Sequence, residues 1–381
     1  MIHTAHLFRT INFYKKKNTM KMRLIALGTL SALTIGLWSC SNNSDDPVKT
    51  NQLSLKESLN EKTVSLEQAV SEISSSKGYE ILTMKESSVK SGSDSDSLAN
   101  DDSFHSINIS IDDLKGIYDY QLDSTHFGMH KHFTRTEDSD KFIIRLPKEK
   151  AYNRRSLFET NEADTTLVND FVITTSDFQY NYSGGFPFNY LLDTRIDVEE
   201  EFAGALRIDW SMNSIKDLNY SSTYSFTDDY SVSTDFQMGD TIRHAYSLMQ
   251  NSEIIYAEKI SFIKSEESHR REREYSIVIG NIEIVRSSGS DNILVYKDGV
   301  LQENASVEVL SNDGSIEDEV AFCRKGRDLR ITFDDGTTVV LSELVGDSLE
   351  ILNELFGSLR EVYFSTHLVN HIAFDIYSNK E

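Results

Sequence analysis

The sequence predicts a mainly β protein of the α+β type: an antiparallel meander sheet, able to curve into a half-barrel, with an N-terminal helix and one C-terminal helix. Three observations carry this expectation. Beyond Phe104 apolar residues alternate with polar ones, as in Ile107, Ile109 and Ile111, in Tyr224, Phe226, Tyr230, Val232 and Phe236, and in Ile254, Tyr256, Ile260 and Phe262. That period of two belongs to a strand with one face buried. The 381 residues include 17 Tyr and 20 Phe but three Pro, and rings pack well on a pleated surface whereas proline interrupts its ladder. Turn residues also recur at spacings that fold each alternating run back on its predecessor.

Residues 1–39 read as an upstream extension and a secretory leader. Lys21 and Arg23 precede Leu24–Leu37, 14 residues without a charge. Such a run suits the core of a signal peptide and falls short of the ~20 residues that cross a bilayer. A leader starting at Met20 or Met22 leaves 1–19 as the extension. The run ends in Leu37-Trp38-Ser39-Cys40, which resembles the lipobox of bacterial lipoproteins, although Trp38 is bulkier than the usual occupant of its position. The resemblance implies that Cys40 opens the mature chain and carries a diacylglyceryl group, usually with a third, amide-linked chain such as palmitate. At about 0.8 kcal/mol per buried methylene, two or three chains make a durable membrane anchor. Residues 40–64 are then a lipidated tether whose acidic pair, Asp45-Asp46, is similar to the export signal of surface lipoproteins in Bacteroidota. The implied address is the cell envelope, at the outer membrane. The other cysteine, Cys323, lies in an apolar Val320-Ala321-Phe322 context and reads as a small buried hydrophobe.

Residues 65–84 are expected to hold the first helix and a short strand. Ser65 with Gln68 fits a capping box, Leu66, Ala69, Val70 and Ile73 recur at helical spacing, Gly78 is placed to end the helix, and Tyr79–Met84 reads as strand. Residues 85–103 contain seven Ser and four Asp, a composition that cannot bury enough surface to order itself, and form a flexible loop. Residues 104–287 form the antiparallel β domain. A loop at Thr227-Asp228-Asp229 pairs Phe226 with Tyr230, Tyr224 with Val232 and Tyr220 with Phe236; Gly239-Asp240-Thr241 carries the same face on to Ile242, Tyr246 and Leu248; Asn251-Ser252 turns the chain again. At Gly280 the apolar parity changes, which reads as a bulge. Residues 288–381 form a C-terminal subdomain of hairpins at Asp298-Gly299 and Asp335-Gly336, an amphipathic helix opened by Asp347 and Glu350, and a last strand at Ile372–Ile376. The helix-then-meander order is similar, in topology alone, to the half-barrel of periplasmic lipoprotein and lipid carriers.

Two clusters are candidates for binding. In Phe178, Tyr180, Tyr182, Phe186, Phe188 and Tyr190, a three-residue turn at Ser183-Gly184-Gly185 places six rings on one face, opposing Tyr182 to Phe186, Tyr180 to Phe188 and Phe178 to Tyr190. Such a face can stack sugar rings or wall an apolar cavity, or it can simply pack a core. His126, His130 and His132 share a parity, with Gly128 between them, and could chelate a metal or line a polar hairpin. His367 and His371 have helical spacing but lack the glutamate of a zinc-protease helix. Phosphate-binding glycine loops, G-x-S-x-G and C-x-x-C do not occur, so no cofactor is implied. The formal charge is -23, and the six basic residues before Cys40 face no acid there, leaving 32 Lys and Arg against 61 Asp and Glu in the rest. So acidic a chain repels phosphate backbones, which excludes nucleic acid as an expected partner. The expectation is a lipid-anchored envelope protein, a non-catalytic binder or carrier of an apolar or glycan ligand. A structural or surface-interaction lipoprotein, or an envelope hydrolase, are the competing readings.

Overall fold

A computed structural model describes residues 53–83, 106–121, 132–152, 168–264, 271–288, 290, 292–310, 328–358 and 363–379. Cys40, Cys323, His126, His130 and the flexible loop expected at 85–103 lie outside these residues.

The first helix, α1, spans Leu55–Ser74 and begins ten residues before the expected start. Its capping box is Ser54 with Glu57: the Glu57 N–H donates to Ser54 Oγ at 3.2 Å, and the Ser54 N–H donates to Glu57 Oε2 at 2.9 Å. These backbone and side-chain bonds to Ser54 hold the Glu57 carboxyl below its usual range. Ser65 lies inside the helix and its hydroxyl donates to the Glu61 carbonyl. Leu55 and Leu59 extend the stripe of Leu66, Ala69, Val70 and Ile73, all buried, so ten residues expected in a tether belong instead to a helix with one long apolar face. The expected strand at Tyr79–Met84 is instead a second helix, α2, Lys77–Thr83. Ser76 Oγ accepts from the Tyr79 N–H at 3.1 Å, the geometry of an N-cap, so Gly78 starts a helix rather than ending one. A Cβ on Gly78 would lie 2.6 Å from the Ala203 carbonyl oxygen, so only glycine lets α2 rest this closely on the sheet.

Fifteen strands form one sheet. They are β1 Ile107–Ser110, β2 Gly116–Tyr120, β3 Phe133–Glu137, β4 Phe142–Leu146, β5 Phe171–Tyr182, β6 Phe188–Val198, β7 Glu201–Ser214, β8 Asp217–Ser225, β9 Tyr230–Met238, β10 Ile242–Gln250, β11 Glu253–Lys264, β12 Arg271–Ile279, β13 Ile282–Ser287, β14 Ile293–Lys297 and β15 Val300–Leu301. From β5 to β15 every strand lies antiparallel beside its sequence neighbour, and the sheet does not close into a barrel. The meander registers follow the turn arithmetic: Tyr224 faces Val232, Tyr220 faces Phe236, and Leu248 faces Val232 from the other side.

The sheet is mixed rather than purely antiparallel. β4 lies parallel to β2, with Asp119 directly opposite Arg145. Arg145 Nε and Nη2 donate to the two Asp119 oxygens at 2.5 and 2.8 Å, and Nη2 also reaches Glu137 at 3.1 Å. Burial opposes ionisation of Asp119, but its bonds from Arg145 and Thr136 outweigh it and hold the carboxyl below the usual range. Ile111 does not continue β1; it opens a four-residue helix, α3, Ile111–Leu114. A further short helix, α4, Lys148–Tyr152, follows β4.

Gly280 is not a bulge. With φ of +59° it sits in the two-residue turn between Ile279 and Ile282, and chain reversal through such a turn produces the same parity change as an inserted residue. Nor does a subdomain begin at 288, because β14 pairs with β13 and the sheet runs on to Leu301. The Asp298-Gly299 turn joins β14 to β15 with both residues at positive φ, as expected. A separate three-stranded sheet follows, β16 Ser306–Leu310, β17 Asp328–Thr332 and β18 Thr338–Val340.

The chain ends in three helices, α5 Leu341–Val345, α6 Ser348–Ser358 and α7 Tyr363–Ser378, so the strand expected at Ile372–Ile376 is helical. Leu368, Val369, Ile372 and Ala373 are almost fully buried, an i, i+1, i+4, i+5 stripe that only a helix gathers on one side. A side chain such as Leu355 or Leu66, with no exposed surface, contributes about 1.5–3 kcal/mol on burial. No described helix is long and apolar enough to cross a membrane.

Candidate functional site

The predicted aromatic hairpin forms, in a register two residues from the expected one. Tyr182 faces Phe188, Tyr180 faces Tyr190, and Phe178 faces Leu192. Pro187 has no N–H for a ladder, so 183–187 becomes a five-residue loop and Phe186 stands exposed at its tip. A shift of two preserves parity, and the remaining five rings stay on one face. That face meets the protein's own C-terminal helix. The Phe374 ring of α7 lies 4.8 Å from Tyr180, edge to face, and Tyr190 Oη donates to Asn370 Oδ1 at 2.9 Å. Phe178, Phe188 and Tyr190 are buried, whereas Tyr180 and Tyr182 are half-buried.

The register continues this face across the sheet. Tyr180 opposes Tyr190, Tyr190 opposes Trp210, Trp210 opposes Tyr220, Tyr220 opposes Phe236, and Phe236 opposes His244. Six consecutive strands thus contribute one ring each to a single row. The next row toward the 183–187 loop continues from Phe188 through Met212, Leu218, Met238 and Ile242 to Phe262. The row on the other side passes through Ser222, Thr234, Tyr246 and Glu258. Ser222, Thr234 and Glu258 thus form a polar stretch between the ring row and the buried row of Tyr224, Val232 and Leu248.

Two helices bracket the row. α7 covers its β5–β6 end, as described. At the other end Phe356 of α6 lies 5.6 Å from Tyr246 and 6.3 Å from Tyr256. Between them Trp210, Tyr220, Phe236 and His244 are all half-buried, as are Met212, Met238, Ile242 and Phe262 beside them. The rings are held edge to face: Trp210 against Phe188 at 4.8 Å and Tyr220 at 6.2 Å, His244 against Phe236 at 6.2 Å and Tyr246 at 4.5 Å. Trp210 Nε1 is shielded from solvent and meets no acceptor among the described residues. Burial pushes His244 below its ordinary value, more strongly than the Asp235 carboxylate pulls it up, which favours the neutral imidazole.

Of His126, His130 and His132 only His132 is described. It is buried and stacked on Tyr120 at 5.7 Å, and its Nδ1 has no partner among the described residues. No three His, Cys, Asp or Glu side chains converge as a metal site among the described residues. His367 and His371 do share a helix, with rings 6.2 Å apart.

Sequence reasoning missed Trp210, Tyr220, Phe236 and His244 as parts of one row. The signal that could have found them is turn arithmetic carried from Tyr190 around Glu199-Glu200, but an irregularity near Ile196 and Asp197 shifts the β6–β7 register by one. Without that shift Trp210 would fall on the opposite face. Comparison with protein families, with curated proteins and with solved structures finds no match.

Proposed function

We propose that this chain is a lipid-anchored cell-envelope protein whose folded domain holds an apolar, acyl-bearing ligand without transforming it. The anchor rests on the leader and on Cys40, in the setting of an outer-membrane lipoprotein. The single observation that carries the binding role is the ring row with its unanswered donor. A half-buried apolar surface bracketed by helices is where an apolar ligand gains most from leaving water. A shielded N–H without an acceptor costs about 1–3 kcal/mol, which an ester or carboxyl oxygen of such a ligand would recover. The polar stretch at Ser222, Thr234 and Glu258 suits the head of an amphipathic molecule.

The test is to express the chain without its leader and Cys40, purify it, extract it with organic solvent and analyse the extract by mass spectrometry. The reading expects acyl-bearing molecules in stoichiometric amount, lost on substitution of Phe236 and His244 by Asp. An empty protein that also fails to bind added fatty acids would instead favour the structural, surface-interaction reading. Bound oligosaccharide in place of lipid would favour a glycan ligand on the same rings.

A further inference from the structure

We infer that a pocket apart from the ring row, where the last turns of α7 meet β2 and β3, takes a free α-amino acid with a large apolar side chain. The pocket has a volume of about 440 Å³, at the small end of the ~300–1,000 Å³ typical of small-molecule sites. It shares α7 with the ring row but not its lining: Asn370 and Phe374 meet the sheet, whereas Ile372, Asp375, Ile376 and Asn379 line the pocket. The inference therefore stands apart from the acyl-ligand reading.

The opposite wall is fixed by local structure. Tyr118 and Phe133 give it an apolar floor; both are buried, and Tyr118 is locked edge to face on Phe142 at 5.3 Å. Arg135 is placed by a glycine. Gly116 has φ of +142°, a conformation that favours glycine, and a Cβ there would lie 2.6 Å from Arg135 Nε, so the missing side chain leaves room for the arginine beside the backbone. One of its terminal nitrogens bonds Asp138 at 3.0 Å, which engages a fraction of its five donors. Lys115, bonded to Asp112 at 2.7 Å, supplies the second cation of the rim. Asp112, Asp113 and Asp375 supply the anions.

This rim selects by charge. A plain carboxylate that reaches Arg135 also faces three aspartates, and a plain ammonium faces Lys115 and Arg135. A molecule carrying both groups on one carbon answers both sets, while its side chain leaves water against Tyr118, Phe133, Ile372 and Ile376.

Isothermal titration of the detergent-solubilised full chain decides the matter, with L-leucine and L-phenylalanine as probes and with leucinamide, N-acetyl-leucine and methyl glucoside as comparisons. The expected result is saturable binding of the two amino acids, at least about tenfold tighter than either singly charged analogue. Arg135→Gln should weaken leucine binding about tenfold at an unchanged melting temperature, since the Arg135 side chain is 53 % exposed and the ion pair it makes among the described residues is with an Asp138 that is 98 % exposed. No saturation by leucine up to about 10 mM, where even a millimolar site is nearly filled, overturns the inference. Equal binding of N-acetyl-leucine or preferential binding of the glucoside overturns it as well.

Discussion

Replacing Trp210 with Phe separates a ligand-facing role from a packing role, because the two change different measurements. The substitution keeps a ring against Phe188 and Tyr220, which now lie 4.8 and 6.2 Å from the indole. Each edge-to-face pair is worth about 0.5–1.5 kcal/mol, and most of that survives in a phenyl ring. It removes an N–H that has no acceptor among the described residues, relieving a penalty of about 1–3 kcal/mol. The smaller ring leaves a void beside a half-buried position, where neighbours and water can adjust, so loss and gain nearly cancel. Urea unfolding of the unliganded domain, followed by circular dichroism, should therefore stay within about 1 kcal/mol of the parent. Affinity for an acyl ligand should fall about tenfold, since a ligand oxygen loses a donor worth roughly 1.4 kcal/mol, as read by displacement of a bound naphthalene dye. A loss of more than about 2 kcal/mol in stability with unchanged affinity would refute the reasoning and make Trp210 an ordinary core residue.

Three further outcomes follow from the packing and the charges. Gly204→Ala should destabilise the domain by about 2–4 kcal/mol in the same unfolding assay, because the new Cβ would lie 2.2 Å from Tyr224 Oη, which donates to the Ala203 carbonyl at 3.0 Å; a change under about 1 kcal/mol would contradict that packing. Asp119 has a folded-state pKa below its usual value, so its stabilisation is present above the unfolded pKa near 4 and is lost as pH falls through the folded one. Asp119→Asn should accordingly lower stability at pH 7 and flatten its decline below about pH 4, and an unchanged acid profile would contradict the Arg145 pairing. Cys40→Ala should abolish incorporation of radioactive palmitate and release the protein from membranes in carbonate extraction; persistent labelling would defeat the anchor.

Much of the fold was legible because turn chemistry fixes register. Thr227-Asp228-Asp229 and Asp298-Gly299 left one way to pair their flanking strands, and the strands pair that way. Legibility failed where two structures share one pattern. The Ile372, Phe374 and Ile376 alternation also fits a helix whose buried stripe is Leu368, Val369, Ile372 and Ala373. Gly280 changes parity equally as a bulge or as a turn. The parallel pairing of β2 with β4 depends on contacts between segments that no local signal links. For the candidate site, the rings of β5 and β6 could be read directly, but their cover by α7 could not, and Trp210 was hidden by the register shift in β6–β7.

The sequence contains two tryptophans, Trp38 and, in the ring row, Trp210, so in a protein expressed from residue 41 onward the indole emission reports from one place. Titrating the delipidated, anchor-free protein with fatty acids of increasing chain length should give a saturable shift of that emission, with affinity rising as methylenes are added. Emission that stays constant while the acids are shown by equilibrium dialysis to bind elsewhere, or not to bind at all, would contradict the assignment of the ring row as the ligand face.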